Sequence, residues 1–182
     1  MNLCCSPELY GNGGMMMFQI GDYVIYGRIG VCRIDSICTL QSEETKQEKE
    51  YYLLKPVFTK GSKIYTPKDN PKAKMRKIIT KDESEQLIDM IPAIEVLEEE
   101  NNKIRTEKCK DALRTYDNVE WVRVIKTLYR RKQEKLSEGR KFYQNDERML
   151  NMAKDYLYGE LSISLNLPKD QMEKFILGKL EG

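Results

Sequence analysis

From residue 18 to residue 80 the apolar side chains come in short runs broken by polar turn residues, and from residue 81 onward they recur every three or four positions. A strand-rich region followed by a helical one is the expectation. The stretch FQIGDYVIYGRIGVCRIDSI, residues 18 to 37, holds two runs rich in Val, Ile and Tyr around Gly27, Arg28 and Gly30. That is the composition of a tight antiparallel hairpin. Tyr23 to Tyr26 are all apolar or aromatic, so this strand should be covered on both faces. Further runs follow at 51 to 58 (YYLLKPVF), at 63 to 66 (KIYT, stopped by Pro67) and at 75 to 80 (MRKIIT). Residues 39 to 50 are polar and suit a long loop or the flared end of two strands. About five short strands separated by Gly, Pro and Asn turns predict a small, bent antiparallel barrel of the SH3 or Tudor type.

Past Lys81, Asp82 or Ser84 can cap a helix with Leu87, Ile88 and Ile91 on one side before Pro92. Residues 81 to 100 read as a helical linker ending in Glu98, Glu99 and Glu100. The segment 101 to 115 has a sparse apolar stripe of Ile104, Cys109, Ala112 and Leu113. Asp117 or Asn118 caps the next helix, where Trp121, Val124, Ile125 and Leu128 fall at i, i+3, i+4 and i+7. Trp121 therefore belongs to the core. Asn145 or Asp146 starts a long helix to about Leu165, with Leu150, Ala153, Leu157 and Leu161 inward, and Pro168 opens a last amphipathic helix. The fold class expected is α+β: an N-terminal Tudor/SH3-like antiparallel β-barrel over residues 17 to 80, a helical linker over 81 to 100, and a C-terminal all-α helical bundle over 101 to 182. Residues 1 to 16 lack periodicity and read as a flexible extension. They have neither the charged start nor the apolar segment of a signal peptide.

Composition narrows the function classes. Of the 182 residues 33% are charged and 40% hydrophobic, and no apolar run approaches the roughly 20 residues of a membrane helix. The net charge is only +2, but residues 1 to 100 carry 13 basic and 16 acidic side chains, against 18 and 13 in residues 101 to 182. A mildly acidic module is thus joined to one that could meet phosphate. There is no histidine, which rules out Ser-His-Asp and Cys-His nucleophiles and removes the commonest metal ligand. The five cysteines have no zinc-ligand spacing and read as free thiols in a reducing compartment. No phosphate-loop, dinucleotide or metalloprotease motif is present. The expectation is a protein without enzymatic activity, metal or cofactor.

Two features carry candidate binding chemistry. Arg123, Lys126 and Arg130 fall at i, i+3 and i+7, and Arg131, Lys132, Lys135, Arg140 and Lys141 extend this to eight basic residues against two acidic ones between 123 and 141. Such a stripe fits backbone phosphates, and a solvated helical face with i, i+4 pairing accounts for the same charges. Few Asn or Gln in this stretch are placed to read bases, so sequence-specific recognition is not indicated. In the strand region, Tyr23, Tyr26, Tyr51, Tyr52 and Tyr65 could pack the sheet and its rim or form an aromatic cage for a methylated side chain. A small sheet with an open edge also suits strand addition to a partner.

The opening FQIGDYVIYGRIG, through Phe18, Gly21, Asp22, Val24, Tyr26 and Gly30, and the later stretch VIKTLYRRKQEKLSEGRKFYQNDERMLNMAKDYLYGELSISL resemble the CarD/CdnL family of bacterial RNA polymerase-binding transcription regulators. Its first domain also occurs in the transcription-repair coupling factor. The resemblance spans about residues 17 to 180 and rests on the Arg pair, the acid-Arg-Met-Leu segment and the Gly-Glu-Leu, in order. It implies a cytoplasmic, nucleoid-associated protein that docks on the polymerase β subunit through its Tudor-like domain. It also implies a helical domain that touches promoter DNA and stabilises the open complex. On that alignment Leu40, Lys63 and Tyr65 are the polymerase-facing positions, with Leu40 and Tyr65 lying near places that are basic in some relatives. Asn102 and Arg105 are DNA-facing on it, and with Lys103 and the stripe residues Arg123, Lys126, Arg130, Arg131 and Lys132 they make up the candidate DNA-binding set. Asn102 stands where family members commonly carry a Trp that wedges into the minor groove. An adaptor on the polymerase that has lost direct DNA contact is the alternative. Neither reading calls for a membrane or a small-molecule substrate.

Overall fold

The computed structural model describes residues 18–41, 48–70, 74–99 and 101–181. The expected N-terminal extension, the middle of the polar 39 to 50 segment and Glu100 lie outside the described residues. Five strands form one antiparallel sheet: β1 (Tyr23–Tyr26), β2 (Gly30–Gln41), β3 (Glu48–Pro56), β4 (Ile64–Pro67) and β5 (Met75–Lys77), in the order β4-β3-β2-β1-β5. The predicted hairpin is β1 and β2, with Tyr26 opposite Gly30. Gly30 has φ +84 and ψ −141, a conformation that a side chain would strain. The polar 39 to 50 segment contributes the flared ends of β2 and β3, paired out to Gln41 and Glu48.

The expected barrel does not close. β4 and β5 are the two ends of the sheet, and β5 has only three residues. Both faces of the middle are nevertheless covered, as the apolar run in β1 predicted. Val24, Cys32, Ile34, Tyr52 and Leu54 pack under Phe18 in a small core on one face. Ile25 and Val31 enter the main core with the helices. The helices supply the cover that barrel closure would otherwise have to provide.

A bulge at Asp35 divides β2. Ile34 pairs with Leu54, and the next partner, Leu53, pairs with Ser36. The extra residue reverses the alternation of side chains. Before it, even-numbered Cys32 and Ile34 face the small core. After it, Ile37 packs against that core, while Ser36, Cys38 and Leu40 alternate to the opposite face.

Five helices follow: α1 (Lys81–Met90), α2 (Asn102–Arg114), α3 (Asn118–Ser137), α4 (Gln144–Ser164) and α5 (Met172–Glu181). α1 is capped by Thr80, whose hydroxyl accepts from Glu83 N–H while the Glu83 carboxylate accepts from Thr80 N–H. This capping box replaces the expected cap at Asp82 or Ser84. Ser84 is buried and its hydroxyl is used on Thr80 O (2.8 Å) and Ser164 Oγ (2.6 Å). Asn101 and Asp117 cap α2 and α3. Leu87, Ile88 and Ile91 from the expected linker lie in the same core as Trp121, Leu128, Leu150, Leu157 and Leu161, so only 94 to 99 cross between the two regions without regular structure among the described residues.

Sheet and bundle meet along α4. Gly159 lets this helix approach closely, since a Cβ there would lie 3.2 Å from the Phe58 ring and 3.7 Å from Val31. Beside it, Arg76 of β5 reaches into the bundle. Its five N–H donors go to both oxygens of Glu160 (2.5 and 2.8 Å), Asn118 Oδ1 (2.9 Å), Tyr116 O (2.8 Å) and Lys77 O (3.0 Å). The guanidinium lies over the Trp121 ring. Glu160 is fully buried and also accepts from Ile79 N–H (2.8 Å). A buried carboxylate is tolerable only when its lone pairs are met in this way.

Removing one partner should cost far more than removing both. Arg76→Met or Glu160→Leu is expected to destabilise the protein by about 3–5 kcal/mol, because each strands a buried group. The double variant should be less destabilised than the two singles summed, as read by denaturant unfolding with a coupling analysis. Burial also pushes the thiols of Cys32 and Cys109 up to about 11. At pH 8 these two should resist alkylation until the protein is unfolded, while half-buried Cys38 reacts first among the described cysteines. Mass spectrometry of iodoacetamide-treated protein measures the order.

Candidate functional site

The first candidate surface is the outer part of the sheet. After the bulge, the register sets Ser36, Leu53 and Tyr65 in one row across β2, β3 and β4, Cys38, Tyr51 and Pro67 in the next, and Leu40 beside Lys49 in a third. Paired residues share a face, so Leu40 and Tyr65 stand on one side of the sheet with Tyr51 between their rows. They are 41% and 50% exposed, although both are large and apolar or aromatic. Lys63 is exposed immediately before β4. The structure therefore brings Tyr65 and Lys63 to the β4 margin, with Leu40 on β2, two strands in, on the same face as Tyr65.

That margin is an edge. Lys68 N–H donates to Glu50 O at 2.9 Å, and the alternation of an antiparallel ladder then turns the N–H and C=O of Tyr65 away from β3. Pro67 offers only a carbonyl. The edge thus has one outward donor, framed by Tyr65 and Lys63. The five tyrosines do not converge: Tyr52 is in the small core with Tyr26 against it, Tyr23 packs on the main core, and only Tyr51 and Tyr65 share the outer rows. No aromatic cage results.

The second candidate is the predicted basic stripe of α3, and the structure changes its character. Lys126 Nζ donates to the carbonyls of Ile91 (2.8 Å), Pro92 (3.0 Å) and Ile94 (2.5 Å), fastening the turn after α1. Arg123 pairs with Glu120 and donates to Glu95 O. Arg130 forks onto Glu98, with contacts of 3.1 to 3.2 Å. Lys132 pairs with Glu147 at 3.3 Å and lies over the Phe142 ring. The stripe thus faces acceptors supplied largely by residues 91 to 98.

Arg105 is corrected most clearly. It is 2% exposed, donating to Asn102 Oδ1 (2.8 Å) and Glu99 O (3.4 Å), with Asp146 of α4 at 3.7 Å. The expected stripe of α2 began at Ile104, which is 47% exposed. Arg105 is the inward residue because it stands four before Cys109 and seven before Ala112, and Asp146 waits opposite. That spacing was present in the sequence, where its charge concealed it. Asn102 Oδ1 also accepts from Arg131 at 2.6 Å. Asn102 therefore binds two guanidinium groups and ties the start of α2 to α3. Of the predicted cations, Lys103 is exposed and near enough to Glu107 to help lower that carboxyl without forming an ion pair among the described residues, and Arg131 donates to Asn102. Lys141 and Arg148, near the start of α4, are exposed and have no carboxylate partner among the described residues. Arg148 was not among the residues singled out in the sequence.

One acidic residue of the crossing segment is held in the same way. Glu99 pairs with Lys108 (3.0 Å) and accepts from Asn101 N–H (3.1 Å), which together hold its carboxyl below the usual carboxylate range. No group of three His, Cys, Asp or Glu able to hold a metal occurs among the described residues, and none of their helices is long and apolar enough to cross a membrane.

Two family models match the chain in succession. The model described as CarD-like/TRCF RID domain matches residues 18–79, the whole sheet, and the model described as CarD, C-terminal domain matches residues 86–177, nearly the whole bundle. A search of curated proteins finds no match. Two adjoining matches in family order, the second covering half of the chain on its own, show that the chain belongs to the CarD-like family of non-enzymatic, RNA polymerase-interacting transcription regulators.

Proposed function

We propose that this protein docks on the β subunit of RNA polymerase by adding a strand at its β4 edge, and that the end of its helical bundle holds promoter DNA so that the open complex is favoured over the closed one. The observation that carries the docking half is the open edge. Tyr65 presents both a backbone pair and an exposed ring there, with Leu40 on the same face. Strand addition draws affinity from main-chain bonds and specificity from flanking side chains. Lys63 adds a charge at the margin, and the site of action is the cytoplasmic nucleoid.

For DNA, the cations at the end of the bundle where α2 and α4 begin carry the contact: Lys103, Arg131, Lys141 and Arg148. Asn102 positions Arg131 and does not act as a wedge. Contacts of this kind read phosphate and not base sequence. Stabilisation of the open complex is then a matter of differential affinity: the protein binds polymerase and melted promoter together more tightly than polymerase and closed duplex. The adaptor reading keeps one specific support, since Arg123, Lys126 and Arg130 already have partners within the chain.

Two outcomes follow. Tyr65→Pro removes the outward N–H while sparing the ladder to β3, so it should abolish capture of purified polymerase with little change in melting temperature. Retained capture would end the strand-addition reading. For DNA, Lys103→Ala with Arg131→Ala should weaken binding to promoter duplex and flatten the logarithmic salt dependence by about 0.9 for each lost phosphate contact. If the full-length protein binds duplex equally well with and without these changes, or not at all, the adaptor reading stands.

A further inference from the structure

We propose that residues 94 to 99 act as an acidic strap that competes with DNA for the α3 cations, so that nucleic-acid binding by this protein is self-limited through Glu98. This rests on the DNA reading above and concerns its regulation. The strap has two unequal parts. Its inner part is fastened: Lys126 holds the carbonyls of Ile91, Pro92 and Ile94, Thr127 Oγ1 accepts from Leu97 N–H at 2.9 Å, and Ile94 is buried in the main core. Its outer part rests on exposed charge pairs. Glu98 is 77% and Arg130 49% exposed at the side chain. Ion pairs so open to water are weak and readily exchanged.

The geometry of that outer pair matches the ligand it would displace. Both terminal nitrogens of Arg130 meet the Glu98 carboxylate, at 3.1 to 3.2 Å. A phosphate takes an arginine through the same two-pronged arrangement. Glu134 also lies near Arg130, but it meets only Nε, at 3.7 Å, leaving the fork itself to Glu98. Lys108 on α2 is held in parallel by Glu99 at 3.0 Å. A duplex reaching α3 must therefore exchange a carboxylate for a phosphate at Arg130, while the inner strap stays in place.

A four-protein comparison of the full chain tests this: unmodified, Glu98→Gln, Arg130→Gln and the double variant, each titrated with duplex DNA across a salt series and checked by thermal melting. Self-limitation predicts that Glu98→Gln tightens binding several-fold and steepens the salt slope by about 0.9, one additional phosphate contact. It predicts that Arg130→Gln alone changes affinity little and that it cancels the gain in the Glu98→Gln background. An additive gain that survives loss of Arg130 would be long-range charge, and would overturn the strap. So would an unchanged Glu98→Gln, or a large loss from Arg130→Gln alone, which would mean that Arg130 is already free. Lys103→Ala with Arg131→Ala in the same titration separates the two readings. Binding that depends on that pair but ignores Glu98 sinks the strap alone, and no binding by any of the four sinks both.

Discussion

The contact between Arg76 and Glu160 governs how the two halves of this protein are set against each other. Every donor of the guanidinium is committed, and one fully buried carboxylate collects both its terminal nitrogens and a backbone N–H from the residue that leads into α1. Such an arrangement tolerates no sliding of β5 along α4, because a shift of one residue would leave a charge without partners in a region that excludes water. An apolar contact of the same area would hold the halves together without fixing their angle. The pair therefore fixes where the β4 edge and the far end of the bundle lie relative to each other.

The same logic explains why the helical half is less basic in practice than its composition suggests. Eight cations against two acids between residues 123 and 141 describe the chain locally. In the fold, the carbonyls of Ile91, Pro92 and Ile94 and the carboxylates of Glu98 and Glu147 are brought to these cations from elsewhere. Charge counted along a helix is thus a poor guide to charge presented, because lysine and arginine also serve as tethers for neighbouring segments. Within the stripe, Arg131 meets the Asn102 amide oxygen, and Lys141 beyond it has no carboxylate partner among the described residues.

Much of the architecture could be read before the structure was in hand. The hairpin followed from the residues around Gly27 and Gly30, the start of α3 from Asp117, and the place of Trp121 from its stripe. These are local signals that near neighbours in sequence suffice to set. What was not legible depended on partners distant in the chain. Arg105 has inward spacing, but only Asp146, more than forty positions away, makes an inward arginine tolerable. The open sheet depends likewise on α4 covering Ile25 and Val31. Of the candidate residues, Leu40 and Tyr65 were set on one face by the register of three strands, with Lys63 just ahead of β4, whereas the basic stripe was divided between tethers and free cations by residues outside it.

The bulge at Asp35 gives β2 a change of phase. Ahead of it the strand is written for a buried environment on both sides; behind it the same alternation is inverted, so that Cys38 and Leu40 are turned outward and Ile37 inward. One inserted residue is therefore the difference between a strand that merely completes a core and one that also carries an exposed apolar residue, Leu40, on its distal half. Deleting that residue would leave nearly every backbone bond of the sheet intact and yet exchange the inside for the outside over the distal half of the strand. The identity of the outer surface is thus held less by the side chains on it than by a single count of residues.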